Sequence, residues 1–183
     1  MIDYDVDTLT EILELAVRRV VFDRMRDFDA RYDGVIRDAA RWLTDPVHTG
    51  LYLCGVVGCG KTTLMQAIGL VVNDYCSMAG SEYIFSSMTA KEMVRGGSVY
   101  KYDHVIQGID DLGTEPVEWV EYGNVLTPLI DTLYWRYEQR MKTIVTTNLK
   151  PEEIKERYGK RIADRFAEEY IITAFPNEGF RGR

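Results

Sequence analysis

The sequence has little of what disulfide, metal or membrane proteins need. Its three cysteines, Cys54, Cys59 and Cys76, form no CxxC pair and are odd in number, which argues against a disulfide framework or a zinc site and for small buried hydrophobes in a reducing compartment. The two histidines, His48 and His104, are isolated and read as ordinary polar positions. There is no basic excess: the net charge is -7, which disfavours attraction of the whole surface to nucleic acid. The imbalance sits in residues 1–148, with 14 basic and 22 acidic side chains, whereas residues 149–183 hold 8 and 7. Any polyanion contact is therefore expected to be local. Outside the glycine-rich stretch after Leu53, no uncharged run approaches the roughly 20 residues of a membrane span. The start, Met1-Ile2-Asp3-Tyr4-Asp5, lacks the basic and apolar regions of a secretion signal. A cytoplasmic protein with no membrane contact is expected.

What is present is an ordinary globular composition, 46% hydrophobic and 28% charged, in 183 residues, the size of one domain. Apolar residues at helical spacing predict helices over 8–28 and 35–43, ended by Asp45-Pro46. A strand at 51–54 and a helix at 61–78 follow, then a strand at 82–87. A short helix opens with the capping box Thr89/Glu92 and stops at Gly96-Gly97. Beyond it are expected a strand at 103–109, a helix at 121–140, a strand at 143–147, helices at 151–157 and 159–168 and a strand at 170–175. Alternating strands and helices indicate an α/β fold, a five-stranded parallel sheet in three layers.

Between the first strand and its helix lies Gly55-Val56-Val57-Gly58-Cys59-Gly60-Lys61-Thr62, the GxxxxGKT pattern of a phosphate-binding loop. Gly55, Gly58 and Gly60 let the backbone turn and approach a phosphate chain without a Cβ in the way. Val57, Cys59 and Thr63 complete the run of candidate nucleotide-binding positions. Lys61 supplies a point charge to the β- and γ-phosphates, Thr62 a hydroxyl to Mg²⁺, and the helix N-terminus its partial positive charge.

Val105-Ile106-Gln107-Gly108-Ile109 closes on Asp110-Asp111. In a parallel sheet these acids emerge at the carboxyl edge, beside the phosphate loop. Asp110 suits a Mg²⁺ ligand and Asp111 suits the orientation or deprotonation of an attacking water; a polar turn is the competing reading. Asn148, after the strand Thr143-Ile144-Val145-Thr146-Thr147, is placed to hydrogen-bond a γ-phosphate or water, or simply to cap a turn. Tyr32 and Trp42 are both candidates to stack on adenine. Arg95 to Tyr102 interleaves basic and aromatic residues, as single-strand nucleic-acid binding uses, although its tyrosines can equally pack on the core. Gly108, inside an apolar run, suggests a close backbone approach.

The ordered set GVVGCGKTTL, IDDLGTE, TIVTTNL, YGKRIADRF and FPNEGFRGR resembles the AAA+ ATPases of the DnaC helicase-loader and IstB transposition-helper group, over about residues 47–183. The resemblance implies Lys61 and Thr62 as Walker A, Asp110 and Asp111 as Walker B, and Asn148 as first sensor. It also implies Arg161 as an arginine finger acting on a neighbouring subunit, with Arg165 as the alternative, and Arg181 as second sensor. With these come a Mg²⁺-dependent ATPase working as a homo-oligomer, single-stranded DNA, a replicative helicase or transposase as partner, and a core at 47–183 without a separate lid domain. Residues 1–46, helical and acidic, do not match the group's partner-binding region. Two other readings remain: a P-loop nucleotide or nucleoside kinase, with Asp164-Arg165-Phe166 in acceptor binding, and a nucleotide-switch adaptor that does not hydrolyse. Incubation with ATP and a panel of nucleoside monophosphates separates the first: ADP release is expected to be the same with and without each monophosphate, whereas rapid release dependent on one of them identifies a kinase.

Overall fold

The computed structural model describes residues 2–25, 28–29, 32–96 and 105–176. Helices α1 (Val6–Asp23) and α2 (Asp33–Thr44) lead into β1 (Gly50–Cys54), α3 (Lys61–Met78), β2 (Ile84–Thr89), α4 (Ala90–Arg95) and β3 (Val105–Leu112). A hairpin of β4 (Trp119–Glu121) and β5 (Asn124–Leu126) precedes α5 (Pro128–Glu138), β6 (Thr143–Thr147), α6 (Pro151–Tyr158), α7 (Lys160–Glu169) and β7 (Tyr170–Ala174). Five strands form one parallel sheet in the order β2-β3-β6-β1-β7.

Alternation along the strands divides the core between the two faces. Leu51, Leu53 and Ile144 pack with α1, α2 and α3, while Tyr52, Val145, Ile109 and Tyr170 pack with α4, α5, α6 and α7. The near-continuous apolar runs of β1 and β6 follow from that double covering. Among the described residues no helix is long and apolar enough to cross a membrane.

Helix α1 begins two residues before the expected start, capped by Asp5, which accepts from Thr8 N–H at 2.9 Å, and ends at Asp23 rather than 28. Met25 turns to a φ of 54°, so the last apolar position of the periodic pattern is exposed instead of buried. The expected helix over 121–140 is likewise shorter, because residues 119–126 form the antiparallel hairpin. Tyr122 and Gly123 both have positive φ, 50° and 81°, as a two-residue primed turn requires, and Pro128 sets the first turn of α5. Both features are legible as Gly123 and Pro128, which break a helical pattern.

Lys142 joins β6 to the segment after α2, its ammonium donating to the carbonyls of Trp42, Asp45 and His48 at 2.7, 2.8 and 3.0 Å. Burial pushes its pKa down to about 8, so the charged donor is the form present at neutral pH.

Gly108 has a packing reason. A Cβ there would lie 2.8 Å from Met65 Sδ and 2.9 Å from both Phe85 Cζ and Ser87 Cβ, so α3 and the neighbouring strand already fill the space above β3. Gly108→Ala is expected to destabilise by about 1–3 kcal/mol through overpacking, read as a lower denaturation midpoint at unchanged slope.

Candidate functional site

The sheet order places β1 between β6 and β7, with Cys54 opposite both Thr147 and Ala174. The loop after β1 therefore opens beside the ends of β3 and β6, at the carboxyl edge where ligands bind in open α/β sheets. Gly60, at a φ of 98°, makes the turn into α3 that a side chain would strain. Lys61 and Thr62 are the first two residues of that helix, in the turn whose N–H groups have no partner within the helix.

Lys61 is buried. Its ammonium donates to Gly55 O at 2.8 Å, Val56 O at 2.9 Å and Asn148 Oδ1 at 2.8 Å. The charge thus sits at the centre of the loop, in contact with the amide at the end of β6. Cys59 lies beneath, fully buried with Sγ 3.7 Å from Lys61 Nζ, whereas Val57 is exposed at the tip.

Thr62 Oγ1 donates to Asp110 at 2.9 Å. The same carboxylate accepts from Thr146 Oγ1 at 2.5 Å, and that hydroxyl accepts from Asp111 N–H at 3.0 Å. The two acids lie inside β3, not in a turn after it. The β3-β6 register slips between Ile109 and Leu112, and Asp111 bulges at a φ of 56°. This is a bulge of the kind that re-aims side chains at sites: Asp110 faces Thr62 while the Asp111 side chain is exposed. Thr146 was not anticipated as part of the site. Its only signal was a threonine pair directly before Asn148.

Among the described residues there is no group of three or more His, Cys, Asp or Glu side chains suited to a metal. One hydroxyl and one carboxylate, Thr62 and Asp110, fit Mg²⁺ bound jointly with phosphates and water rather than in a protein cage.

The aromatic candidates separate. Trp42 is fully buried beneath Lys142, 4.8 Å from its ring, and belongs to the core; adenine stacking by Trp42 is excluded. Tyr32 is buried against the loop itself, stacked on Phe28 at 5.9 Å and edge-on to Phe175 at 6.2 Å. A Cβ at Gly60 would fall 2.0 Å from its hydroxyl, so Tyr32 also demands glycine there.

Glu115 closes the turn after Asp111 from within. Its fully buried side chain accepts from Gly113 N–H at 2.9 Å and from the Tyr158 hydroxyl, and lies 3.7 Å from Arg157. Burial first, and then that carboxylate, push the Tyr158 phenol up, which keeps it a donor. The turn after β3 is thereby tied to the end of α6, one residue before the Gly159 elbow into α7.

On α7, Ile162 and Phe166 are buried and the two arginines differ. Arg165 donates to Tyr137 Oη at 2.6 Å, stacks on that ring at 3.9 Å and lies 3.9 Å from Glu168. Arg161 is exposed and rests 4.5 Å from the Tyr134 ring centre. The structure does not bring it to Lys61 of its own chain. Arg181, and the 97–102 part of the basic and aromatic segment, lie outside the described residues.

No family model matches the sequence. It is 30% identical over 125 residues to the chromosomal replication initiator protein DnaA of Gloeobacter violaceus, a match covering 66% of this chain and 28% of that protein. The chain thus spans well under half the length of this curated relative. Among solved structures it is similar to the DnaC helicase loader, with a TM-score of 0.61 and 15% identity over 87% of this chain and 98% of that one. For DnaI the TM-score is 0.60 at 20% identity, over 90% and 92%. For AMPPCP-bound DnaA from Aquifex aeolicus it is 0.59 at 16%, over 81% and 47%. At such identities the likeness is one of fold, and it agrees with the order of motifs along the sequence. The chain has a P-loop α/β fold like that of the DnaC helicase loader, DnaI and DnaA.

Proposed function

We propose that this chain is a Mg²⁺-dependent ATPase that acts as an oligomer in DNA replication, in the manner of a helicase loader. The observation that carries the reading is the meeting of three separate segments in one hydrogen-bonded group: Lys61 with Asn148 at 2.8 Å and Thr62 with Asp110 at 2.9 Å. A merely structural loop has no need of a buried ammonium, a hydroxyl, a carboxylate and an amide at one edge.

Gly55, Gly58, Gly60, Thr63 and Lys61 bind the triphosphate, through backbone N–H groups and one charge. Thr62 and Asp110 would hold Mg²⁺, which when bound would supply positive charge to the phosphates. Asp111, on its bulge, accepts the proton of the attacking water, and Asn148, whose Oδ1 accepts from Lys61, donates its amide N–H to the γ-phosphate or the water. Arg161, exposed and resting on the Tyr134 ring, is the better finger of the two, because Arg165 is engaged by Tyr137 within its own chain. Arg181 is assigned to the second-sensor role on the motif alone.

DnaA has been seen with AMPPCP and with single-stranded DNA, and the loader fold supports the same classes of partner here: ATP, single-stranded DNA and a replicative helicase. The motif resemblance keeps a transposase as the alternative. A cytoplasmic location fits such a role.

Two measurements test this reading. Asp111→Asn is expected to keep nucleotide affinity within about twofold while turnover falls by about 10² or more, the scale of a general base; a wild type with no turnover marks the switch adaptor instead. Mixing Arg161→Ala subunits with Lys61→Ala subunits is expected to restore part of the activity each lacks, since one mixed interface pairs an intact loop with an intact finger. Failure of rescue in an assembly of confirmed mixed composition removes Arg161 from that role.

A further inference from the structure

The N-terminal helix ends against the first two turns of α3, the helix that follows the phosphate loop. Helix α1 lies antiparallel to α3: Asp3 N–H donates to Tyr75 Oη at 3.0 Å near one end, and Arg24, the C-cap of α1, meets the first turn of α3 at the other. The Arg24 guanidinium donates to Thr63 Oγ1 and to Gln66 Oε1, both at 2.6 Å. Thr63 is the residue after Thr62, in the turn whose N–H groups face the phosphates. Tyr32 lies against Gly60 at the end of the loop, so Arg24 and Tyr32 both meet the junction of the loop with α3.

Three features make Arg24 more than a strut. Its hydrogen bonds to Thr63 and Gln66 go to neutral acceptors, whereas an anionic oxygen makes bonds roughly twice as strong with the same fork. Thr63 is buried but Arg24 is exposed, which leaves the guanidinium free to turn from the hydroxyl to a ligand beside it. The carbonyls at the end of α1 put partial negative charge close to a site built for anions, and a cation at the C-cap offsets it.

We propose that Arg24 is a second cation of the nucleotide site, supplied in cis by the N-terminal helix. It binds a phosphate oxygen on the Thr63 side of the loop, opposite Asp110, and so couples residues 6–32 to the presence of nucleotide. The role presupposes nucleotide at the 55–62 loop.

The test is titration with a fluorescent ATP analogue and its ADP counterpart, using wild type, Arg24→Ala, Arg24→Gln, Arg24→Lys and Lys61→Ala, alongside thermal melting without nucleotide. Arg24→Ala and Arg24→Gln are expected to weaken both nucleotides by about 10- to 100-fold, the scale of a lost charged hydrogen bond. Arg24→Lys should recover part of that loss. Nucleotide-free melting should shift little for Arg24→Gln, which keeps a hydrogen-bonding side chain. Affinity within twofold of wild type in Arg24→Gln overturns the proposal. So does equal weakening in Arg24→Gln and Arg24→Lys that tracks a lower nucleotide-free melting point, the behaviour of a strut. Undiminished binding by Lys61→Ala overturns the nucleotide reading itself, and the role of Arg24 with it; loss with Lys61→Ala but not with the Arg24 variants overturns Arg24 alone.

Discussion

The site depends on one carboxylate. Asp110 accepts from Thr62 at the start of α3 and from Thr146 near the end of β6, so a single acid fixes a helix and two strands relative to one another. Acceptors of this kind are strong when charged. The register slip that exposes the Asp111 side chain occurs at the same point in β3. Asp110 and Asp111, the proposed metal ligand and proposed water-facing acid, are adjacent in sequence yet point to different surroundings, because the bulge breaks the strict alternation of a strand.

Beneath that point the sheet acts as a rigid frame. Both faces are covered, so the strands have no freedom to slip: a one-residue shift would exchange Leu51 and Leu53 for Tyr52 across the two cores. On one face, α1 and α2 share their core with α3, which brings Arg24 against the first turns of α3 and Tyr32 against Gly60 of the loop. On the other face, Glu115 links the turn after β3 to Arg157 and Tyr158, and through Gly159 to the helix bearing Arg161. The carboxyl edge is thus connected in one direction to the N-terminal helices and in the other to the exposed arginine.

The residues at which the sequence was most legible are those with a strict chemical requirement. The loop at 55–62, the acids at 110 and 111 and the five strands follow from spacing and apolar runs, and the Thr89 capping box appears with both of its hydrogen bonds. Legibility fails where tertiary contact decides. The periodicity of α1 continues past its end at Met25, since nothing in a helical pattern reports a left-handed residue. The hairpin at 119–126 lay hidden in a segment with enough apolar residues to read as helix, although Gly123 sits at its turn and Pro128 opens the helix after it. Trp42 and Tyr32 were equivalent by composition and spacing, and only packing separated a core residue from one lying on the loop. Thr146 and Glu115 act through side-chain partners 36 and 43 positions away, a distance no local pattern carries.

The central claim is a triphosphate site that each chain supplies only in part, with the remaining charge on another copy. ATP turnover per subunit, measured over a hundredfold range of protein concentration, tests it most directly. The account predicts a steep rise as subunits assemble, absent in Arg161→Ala. Turnover per subunit that is substantial and independent of concentration, with a monomer by sedimentation throughout, would contradict it.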